Sequence, residues 1–134
     1  MSRAEFDRAG CVFCAELDGQ TAVAELGQAA ALRDRFPVTP EHTLIVPKRH
    51  VPDLFDLDPE ELRDIWRLLN QMREALGRRD PSIRAYNVGV NSGPEAGQTV
   101  PHAHVHLIPR REGDTPDPRG GIRGVIPEQM CYSP

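Results

Sequence analysis

Three histidines alternate with apolar residues near the C-terminal end of the chain, in the segment His102-Ala103-His104-Val105-His106-Leu107-Ile108. Successive side chains of a β-strand point to opposite faces, so this alternation predicts a strand over residues 102–109 with all three imidazoles on one face. The apolar residues between them would point towards a core and anchor the strand by burial. The segment therefore requires a sheet with one buried face and one chemically active face.

The rest of the pattern predicts a small sheet around this strand. β-branched and apolar runs between turn residues predict four more short strands, over residues 21–26, 29–33, 43–46 and 83–91. Gly27-Gln28 would form the turn between the first two, and Pro47 would close the third. From residue 113 onward, Gly, Pro and Asp predict an extended tail with little regular structure.

One clear helix follows Asp58, which is a good N-cap with Pro59 at the first helical position and Glu61 three residues after the cap. Gly77 is predicted to end this helix. Apolar residues then recur at three- and four-residue steps and predict a core-facing stripe, part of which could lie at a dimer contact: Leu62, Ile65, Trp66, Leu69, Met72 and Leu76. The chain is thus predicted to be α+β, with a mostly antiparallel sheet of about five strands and one main helix on a face.

Composition narrows the class of protein. A length of 134 residues fits one domain, which we assign to residues 1–113, with the tail 114–134 as part of that domain or as a dimer contact. Sixteen Lys and Arg against 20 Asp and Glu give a net charge of −4, which disfavours a general nucleic-acid binder. A charged start, no long apolar segment and only three cysteines predict a cytoplasmic domain with no membrane partner.

Cys11 and Cys14 form a C-x2-C pair, a common half-site for tetrahedral zinc. Cys131 is too isolated to complete a four-cysteine site, so two histidines would be needed, and His50 and His102 are the candidates. A metal-free thiol pair is the alternative. The alternating histidines span about 13 Å, too far for all three to bind one ion, so we expect one end to reach a metal while the others face a substrate.

The loop before the histidines also carries groups that could bind a ligand. Gly97-Gln98-Thr99 offers backbone N–H groups, an amide and a hydroxyl directly before the imidazoles. Small residues at such a place let the backbone approach an anion closely, which favours phosphate binding. An ordinary hairpin loop is the alternative interpretation.

The histidine segment resembles the signature of the histidine triad (HIT) family. Residues 37–50, with Pro-Val-Thr-Pro-Glu-His-Thr-Leu-Ile-Val-Pro, resemble the family's second block, and residues 91–100 resemble its phosphate loop. With the cysteine pair, the resemblance covers residues 11 to about 113. It implies a HIT-like fold with a short N-terminal helix, usually in a homodimer. It also implies nucleotide hydrolysis or nucleotidyl transfer at an α-phosphate.

The resemblance also implies a role for individual residues. His104 would be the nucleophile, forming a nucleotidyl-histidine that water cleaves, and His106 would assist the leaving group. Six residues would bind the purine nucleotide, through its phosphate, its ribose or its base: Asn91, Gln98 and Thr99; Asp34; and Phe13 and Leu32. Relatives with the cysteine pair imply structural zinc on Cys11, Cys14, His50 and His102. His42 would lie near the active site with no assigned role.

Several alternatives stay open at this point. The substrate could be a dinucleoside polyphosphate or a nucleoside phosphoramidate, since features of both branches of the family are present. Arg111 stands where a phosphorylase branch carries Trp, which counts against that branch. Two other functions are a non-catalytic, zinc-braced nucleotide-binding adaptor and a metalloenzyme whose triad itself holds the metal.

Overall fold

A computed structural model describes residues 8–132 and shows an α+β architecture. Its regular elements are, in chain order, α1 (Val12–Asp18), β1 (Ala24–Leu26), β2 (Ala29–Arg33), β3 (Thr43–Pro47), α2 (Pro59–Arg79), β4 (Ile83–Gly89) and β5 (Val105–Arg111). The five strands form one antiparallel sheet in the order β1-β2-β3-β5-β4. The predicted fold class is therefore confirmed, and the histidine-bearing strand lies inside the sheet while β4 lies at an edge.

Strands β2 and β3 are buried on both faces, which explains why they are apolar except at Arg33 and Thr43. One face packs against α2 through a cluster that includes Ile45, Leu68 and Leu107. The opposite face packs against α1 through a second cluster, which includes Phe13, Leu32 and Val46. This two-sided packing brings the cysteine pair of α1 close to the segment that precedes β5.

The main helix begins as predicted but is oriented differently. Asp58 and Glu61 form the expected capping box, yet the helix passes Gly77 and ends at Arg79. Leu62 and Trp66 are 44% and 65% exposed, so the predicted stripe is wrong at these two positions. The buried apolar stripe instead includes Leu68, which the prediction left out. On the same side of the helix, the buried Asp64 accepts a hydrogen bond from the backbone N–H of Gln28 at 2.9 Å.

Two strand boundaries differ from the prediction in a way that matters for the site. β4 ends at Gly89, and β5 begins at Val105, three residues later than predicted. The backbone N–H of Ala103 donates to the carbonyl of Val51 at 2.7 Å, so residues 102–104 leave the sheet ladder for the loop that follows β3. The first two histidines therefore precede the strand, and only His106 lies within it. The first hairpin strand is also shorter than predicted, since β1 begins at Ala24.

The C-terminal tail is more folded than its composition predicts. It forms two short 3-10 turns, Gly121–Val125 and Pro127–Gln129. Gly120 has φ +96°, and a Cβ atom there would lie 2.6 Å from the carbonyl oxygen of Met130, so the segment closes on itself only because this residue is glycine. Within residues 8–132, no helix combines the length and the apolar character that crossing a bilayer would require.

Candidate active site and metal centre

The middle histidine is held in one defined tautomer. His104 is buried, and its Nδ1–H donates to the carbonyl of His102 at 2.8 Å. This hydrogen bond is local, because it forms where residues 102–104 leave the sheet. A neutral imidazole with its proton on Nδ1 carries a lone pair on Nε2. The geometry thus prepares Nε2 of His104 to act as a nucleophile or a base.

The last histidine belongs to a short chain of hydrogen bonds. The backbone N–H of Val38 donates to Nδ1 of His42 at 3.0 Å, so the proton of a neutral His42 lies on Nε2. That Nε2 is 2.9 Å from Nδ1 of His106 and donates to it. Nε2 of His106 then keeps its own proton and can donate it. The sequence analysis assigned no role to His42, and these hydrogen bonds indicate one.

Burial keeps both of these rings neutral. Desolvation, followed by the charges of His104 and His42, lowers the pKa of His106 from 6.5 to about 4. Desolvation also lowers the pKa of His42, although the carboxylate of Asp34 opposes the shift. At neutral pH, therefore, the chain consists of two neutral imidazoles with an orientation fixed by the Val38 N–H group.

A cavity of about 290 Å³ opens beside His104 and His106. Four of the predicted nucleotide-binding residues line it: Phe13, Asp34, Asn91 and Thr99. Gly97 and Val100 of the predicted phosphate loop line it as well. Six further lining residues were not named as candidates: Val12, Glu16, Arg33, Arg35, Phe36 and Leu44. Three of these are sequence neighbours of the predicted Phe13 or Asp34, and this adjacency is the signal that could have located them.

Two of the predicted residues are not brought to the cavity. Leu32 is completely buried in the core beneath α1. Gln98 uses its side chain to fold its own loop: Oε1 accepts from Gly93 N–H at 2.9 Å, and Nε2 donates to the carbonyls of Pro52 and Val100 at 2.8 and 3.0 Å. The structure thus gives the amide of Gln98 a loop-forming role.

Asp34 is fixed at the rim of the cavity by its own turn. Its Oδ1 accepts a hydrogen bond from Phe36 N–H at 2.8 Å, and its Oδ2 lies 3.5 Å from Nε2 of His42. Phe36 itself is 87% exposed, so an aromatic ring stands free at the edge of the cavity. A carboxylate with one oxygen held by its turn keeps acceptor capacity for the hydroxyl groups of a ligand.

The cysteine pair and two histidines meet on the other side of His104. The donor atoms of Cys11, Cys14, His50 and His102 all lie within 4.8 Å of one another. Sγ of Cys11 is 3.4 Å from Nδ1 of His102, and Sγ of Cys14 is 3.4 Å from Nδ1 of His50. The two Nδ1 atoms are 3.3 Å apart. Two sulfurs and two imidazole nitrogens form the donor set of a tetrahedral zinc site.

The surroundings of this cluster fit a metal ion. Nε2–H of His102 donates to the carbonyl of Pro47 at 2.8 Å, which leaves the Nδ1 lone pair directed at the thiols. Burial lowers the pKa of His102 to about 4, so the ring is neutral, as a ligand must be. Burial, with the contact to Cys11, raises the pKa of Cys14 to about 12. The thiol of Cys14 therefore requires a nearby cation to ionise.

Phe13 connects the two halves of the site. Its ring lies edge-on to the rings of both His102 and His104, with centroid distances of 5.8 and 5.0 Å. Phe13 stands between the two cysteines on α1. The helix that carries the thiols therefore also packs against the ring of the candidate nucleophile.

Comparison with known proteins agrees with this geometry. A family model described as HIT domain matches residues 18–113. A bis(5'-nucleosyl)-tetraphosphatase (asymmetrical) of Schizosaccharomyces pombe is 42% identical over 86 residues, which cover 64% of this chain and 47% of that enzyme. The chain therefore spans about half the length of this relative. A HIT-like protein of Mycobacterium tuberculosis is 39% identical over 107 residues, which cover 78% of this chain and 74% of that protein.

Solved structures share both the fold and the family. A zinc-bound histidine triad family protein from Mycobacterium smegmatis superposes with a TM-score of 0.72 at 33% identity. The match covers 82% of this chain and 86% of that chain. A relative with this fold and a similar length is thus known to bind zinc.

Proposed function

The chain belongs to the histidine triad family, and on this premise we propose that it is an enzyme that cleaves purine nucleotides at the α-phosphate. The reaction would be hydrolysis or nucleotidyl transfer, on a phosphoric anhydride or phosphoramidate bond. The observation that carries the proposal is the tautomer of His104. Its Nδ1–H group is held by the carbonyl of His102, so the lone pair on Nε2 is available beside the cavity.

In the first step, Nε2 of His104 attacks the α-phosphorus of the bound nucleotide. A P–N bond to the histidine forms, and the bond from phosphorus to the leaving group breaks. The electron pair of the broken bond departs with the leaving oxygen or nitrogen. The Nε2–H of His106 donates a hydrogen bond to that leaving atom, which takes up its proton from solvent, and the Nε2–H of His42 orients His106 by donating to its Nδ1.

In the second step, water cleaves the P–N bond of the nucleotidyl-histidine. The attacking water releases one proton to solvent, which balances the proton taken up by the leaving group, and His106 stays neutral throughout. The nucleoside monophosphate leaves, and His104 recovers its lone pair. Thr99 and the amide of Asn91 line the same cavity and would stabilise charge on the phosphate oxygens, while Asp34 would accept from the ribose hydroxyls.

The cluster of two thiols and two imidazoles supports a structural metal site, and we assign it to Zn²⁺. Cys11, Cys14, His50 and His102 would hold the ion. Zinc supplies no chemistry to the reaction in this proposal. It braces the start of α1 against the segment that carries His104.

A homodimer remains part of the proposal. β4 pairs with β5 on one side only and lies at the edge of the sheet. Exposed edge strands are natural sites for pairing with a second chain, and Val88 on this strand is 44% exposed. The cytoplasmic location remains a prediction from the sequence.

The test compares wild-type protein with His104→Asn on diadenosine tetraphosphate and adenosine 5'-phosphoramidate. We expect wild-type turnover to release AMP and rapid quenching in alkali to trap a labelled nucleotidyl-protein, because P–N bonds survive in base. His104→Asn should lower turnover by at least about 10³-fold and abolish the trapped label. Turnover of the variant at the wild-type rate would refute His104 as the nucleophile, and tight nucleotide binding without turnover would favour the adaptor.

A further inference from the structure

The nucleotide cavity continues past the groups that the proposed reaction uses. Helix α1 begins beside the phosphate end of the cavity, where the ring of Phe13 lies 5.0 Å from the ring of His104. Glu16 follows Phe13 by three residues and also lines the cavity, so it lies on the same side of the helix, one turn further along. From the loop after β2, Arg35 lines the cavity directly after Asp34, which the proposed function assigns to the ribose. Glu16 and Arg35 would therefore lie beyond the ribose, beside the base of the nucleotide.

These two side chains face each other as an ion pair with a long separation. Nε of Arg35 is 3.8 Å from Oε1 of Glu16. That distance exceeds a hydrogen bond, so the carboxylate keeps acceptor capacity on both of its oxygens. The side chain of Glu16 is only 15% exposed, although it lines the cavity. A carboxylate that is largely withdrawn from water favours a ligand that donates hydrogen bonds to it.

The second arginine of the cavity already has a partner. The guanidinium of Arg33 donates to the carboxylate of Glu41, which also accepts from Arg79. Arg35 is therefore the cation that faces Glu16. Three apolar side chains line the same cavity and could contact the faces of a base: Val12, Phe36 and Leu44. This leaves Glu16 and Arg35 as the groups that could form hydrogen bonds with the edge of the base.

The hydrogen-bonding edges of the two common purines differ in the groups that such a pair would meet. Guanine presents the acceptor O6 next to two donors, N1–H and N2–H₂. Adenine presents the donor N6–H₂ next to the lone pair of N1. A carboxylate can accept from both donors of guanine while the adjacent guanidinium donates to O6. In the same pose, adenine would direct a lone pair at the carboxylate and an N–H group at the guanidinium.

From this arrangement we infer that Glu16 and Arg35 select guanine over adenine, so that guanine nucleotides are the preferred substrates. The inference rests on the proposed function and narrows its purine nucleotide to one base. Glu16 takes no part in bond breaking, and the attack by His104 is the same for both bases. Adenine nucleotides are therefore slower substrates that follow the same reaction.

The experiment measures the Kd of GMP, IMP and AMP by calorimetry, with the zinc-loaded wild-type protein and with variants of the pair. We expect GMP to bind at least tenfold more tightly than AMP. IMP lacks the 2-amino group and should bind at least threefold more weakly than GMP. Glu16→Gln should lower the preference for GMP over AMP at least fivefold, because an amide offers one acceptor and one donor in place of two acceptors. Arg35→Met should lower it about threefold, because the hydrogen bond to O6 is lost.

The catalytic readout uses guanosine 5'-phosphoramidate and adenosine 5'-phosphoramidate. The ratio of their kcat/KM values in the wild-type protein should follow the ratio of the two monophosphate affinities. In Glu16→Gln the two kcat/KM values should approach each other. A residue with only a structural role would change both values by the same factor and would leave their ratio unchanged.

Asp18→Asn is the matched control on the same helix. The side chain of Asp18 is 71% exposed, pairs with Arg8 and lies outside the lining of the cavity, so the variant should leave all three Kd values unchanged. Equal binding of GMP and AMP, a preference for AMP, or the same ratio in Glu16→Gln as in the wild type would overturn the inference while leaving the proposed function intact. A matching change in Asp18→Asn would also overturn it. If the wild-type protein binds none of the three nucleotides, the proposed function itself fails.

Discussion

Two clusters of ligand-type side chains flank His104, and in both of them the donor atoms lie within 4.8 Å of one another. The cysteine cluster consists of Cys11, Cys14, His50 and His102, and the carboxylate cluster consists of Asp34, His42 and His106. By distance alone, either could hold a metal ion. The two clusters differ in the hydrogen bonds that their histidines make with the backbone.

In the cysteine cluster, His102 donates Nε2–H to the carbonyl of Pro47, so its other nitrogen is free to bind a metal. In the carboxylate cluster, Nδ1 of His42 accepts from the N–H of Val38, so its proton lies on the nitrogen that faces His106. A histidine that donates to a backbone carbonyl keeps its other nitrogen free to bind a metal. A histidine that accepts from a backbone N–H carries its proton on the other nitrogen and donates from there. The same residue type has opposite roles because of which backbone group it contacts.

The largest expected effect comes from breaking the cysteine cluster. Cys14→Ser should reduce bound zinc from one ion per chain to nearly none, and it should lower the free energy of unfolding by on the order of 4 kcal/mol. Elemental analysis and urea unfolding measure the two effects. Cys131→Ser is the matched control, since Cys131 is exposed and lies outside the cluster. Full zinc content in Cys14→Ser would contradict the assignment of the ligands.

The next effect comes from the proton donor of the carboxylate cluster. His42→Gln should lower kcat by about a hundredfold, because His106 loses the hydrogen bond that directs its Nε2–H towards the leaving group. Zinc content should stay at that of the wild-type protein. His50→Gln is the reciprocal variant and should lose zinc. If His42→Gln lost its metal together with its activity, the carboxylate cluster would be a metal site and the contrast between the clusters would fail.

The smallest expected effect is a dependence of stability on pH. Burial holds the pKa of His106 near 4, whereas the unfolded chain has its ordinary value near 6.5. Below pH 6.5 the unfolded state binds a proton that the folded state does not, so the free energy of unfolding falls as the pH falls towards 4. At pH 5 the contribution of His106 amounts to about 2 kcal/mol.

Urea unfolding of zinc-loaded wild-type and His106→Asn proteins at pH 7 and pH 5 measures this contribution. Between pH 7 and pH 5, the free energy of unfolding of the wild-type protein should fall by about 2 kcal/mol more than that of the variant. The subtraction removes any acid sensitivity of the cysteine cluster, because both proteins retain that cluster. Parallel losses in the two proteins would show that His106 is not held neutral by its surroundings.

The sequence predicted those features whose causes are local. Alternation, turn residues and the capping box of Asp58 and Glu61 were enough for the sheet, the main helix and the fold class. The four members of the cysteine cluster were also named in advance, and the structure brings them together. In each case a short spacing or a motif carries the information.

Features that depend on partners distant in the chain were missed. Leu62 and Trp66 were expected in the core, but both are exposed, and the neighbouring Asp64 is buried and bonded to the first hairpin instead. The start of β5 depends on the contact of Ala103 with Val51. The role of His42 depends on a backbone N–H whose position only the folded loop defines. No periodicity in a sequence contains such information.

The span of the cysteine cluster has a consequence for how the protein is made. Cys11 and His102 are separated by 91 residues, so a zinc ion held by this cluster would connect the start of the domain to the segment just before β5. Synthesis proceeds from the N-terminus, and the thiols therefore emerge long before this histidine. Binding of zinc by all four ligands would therefore be complete only after His102 has been synthesised, next to the segment that carries the nucleophile.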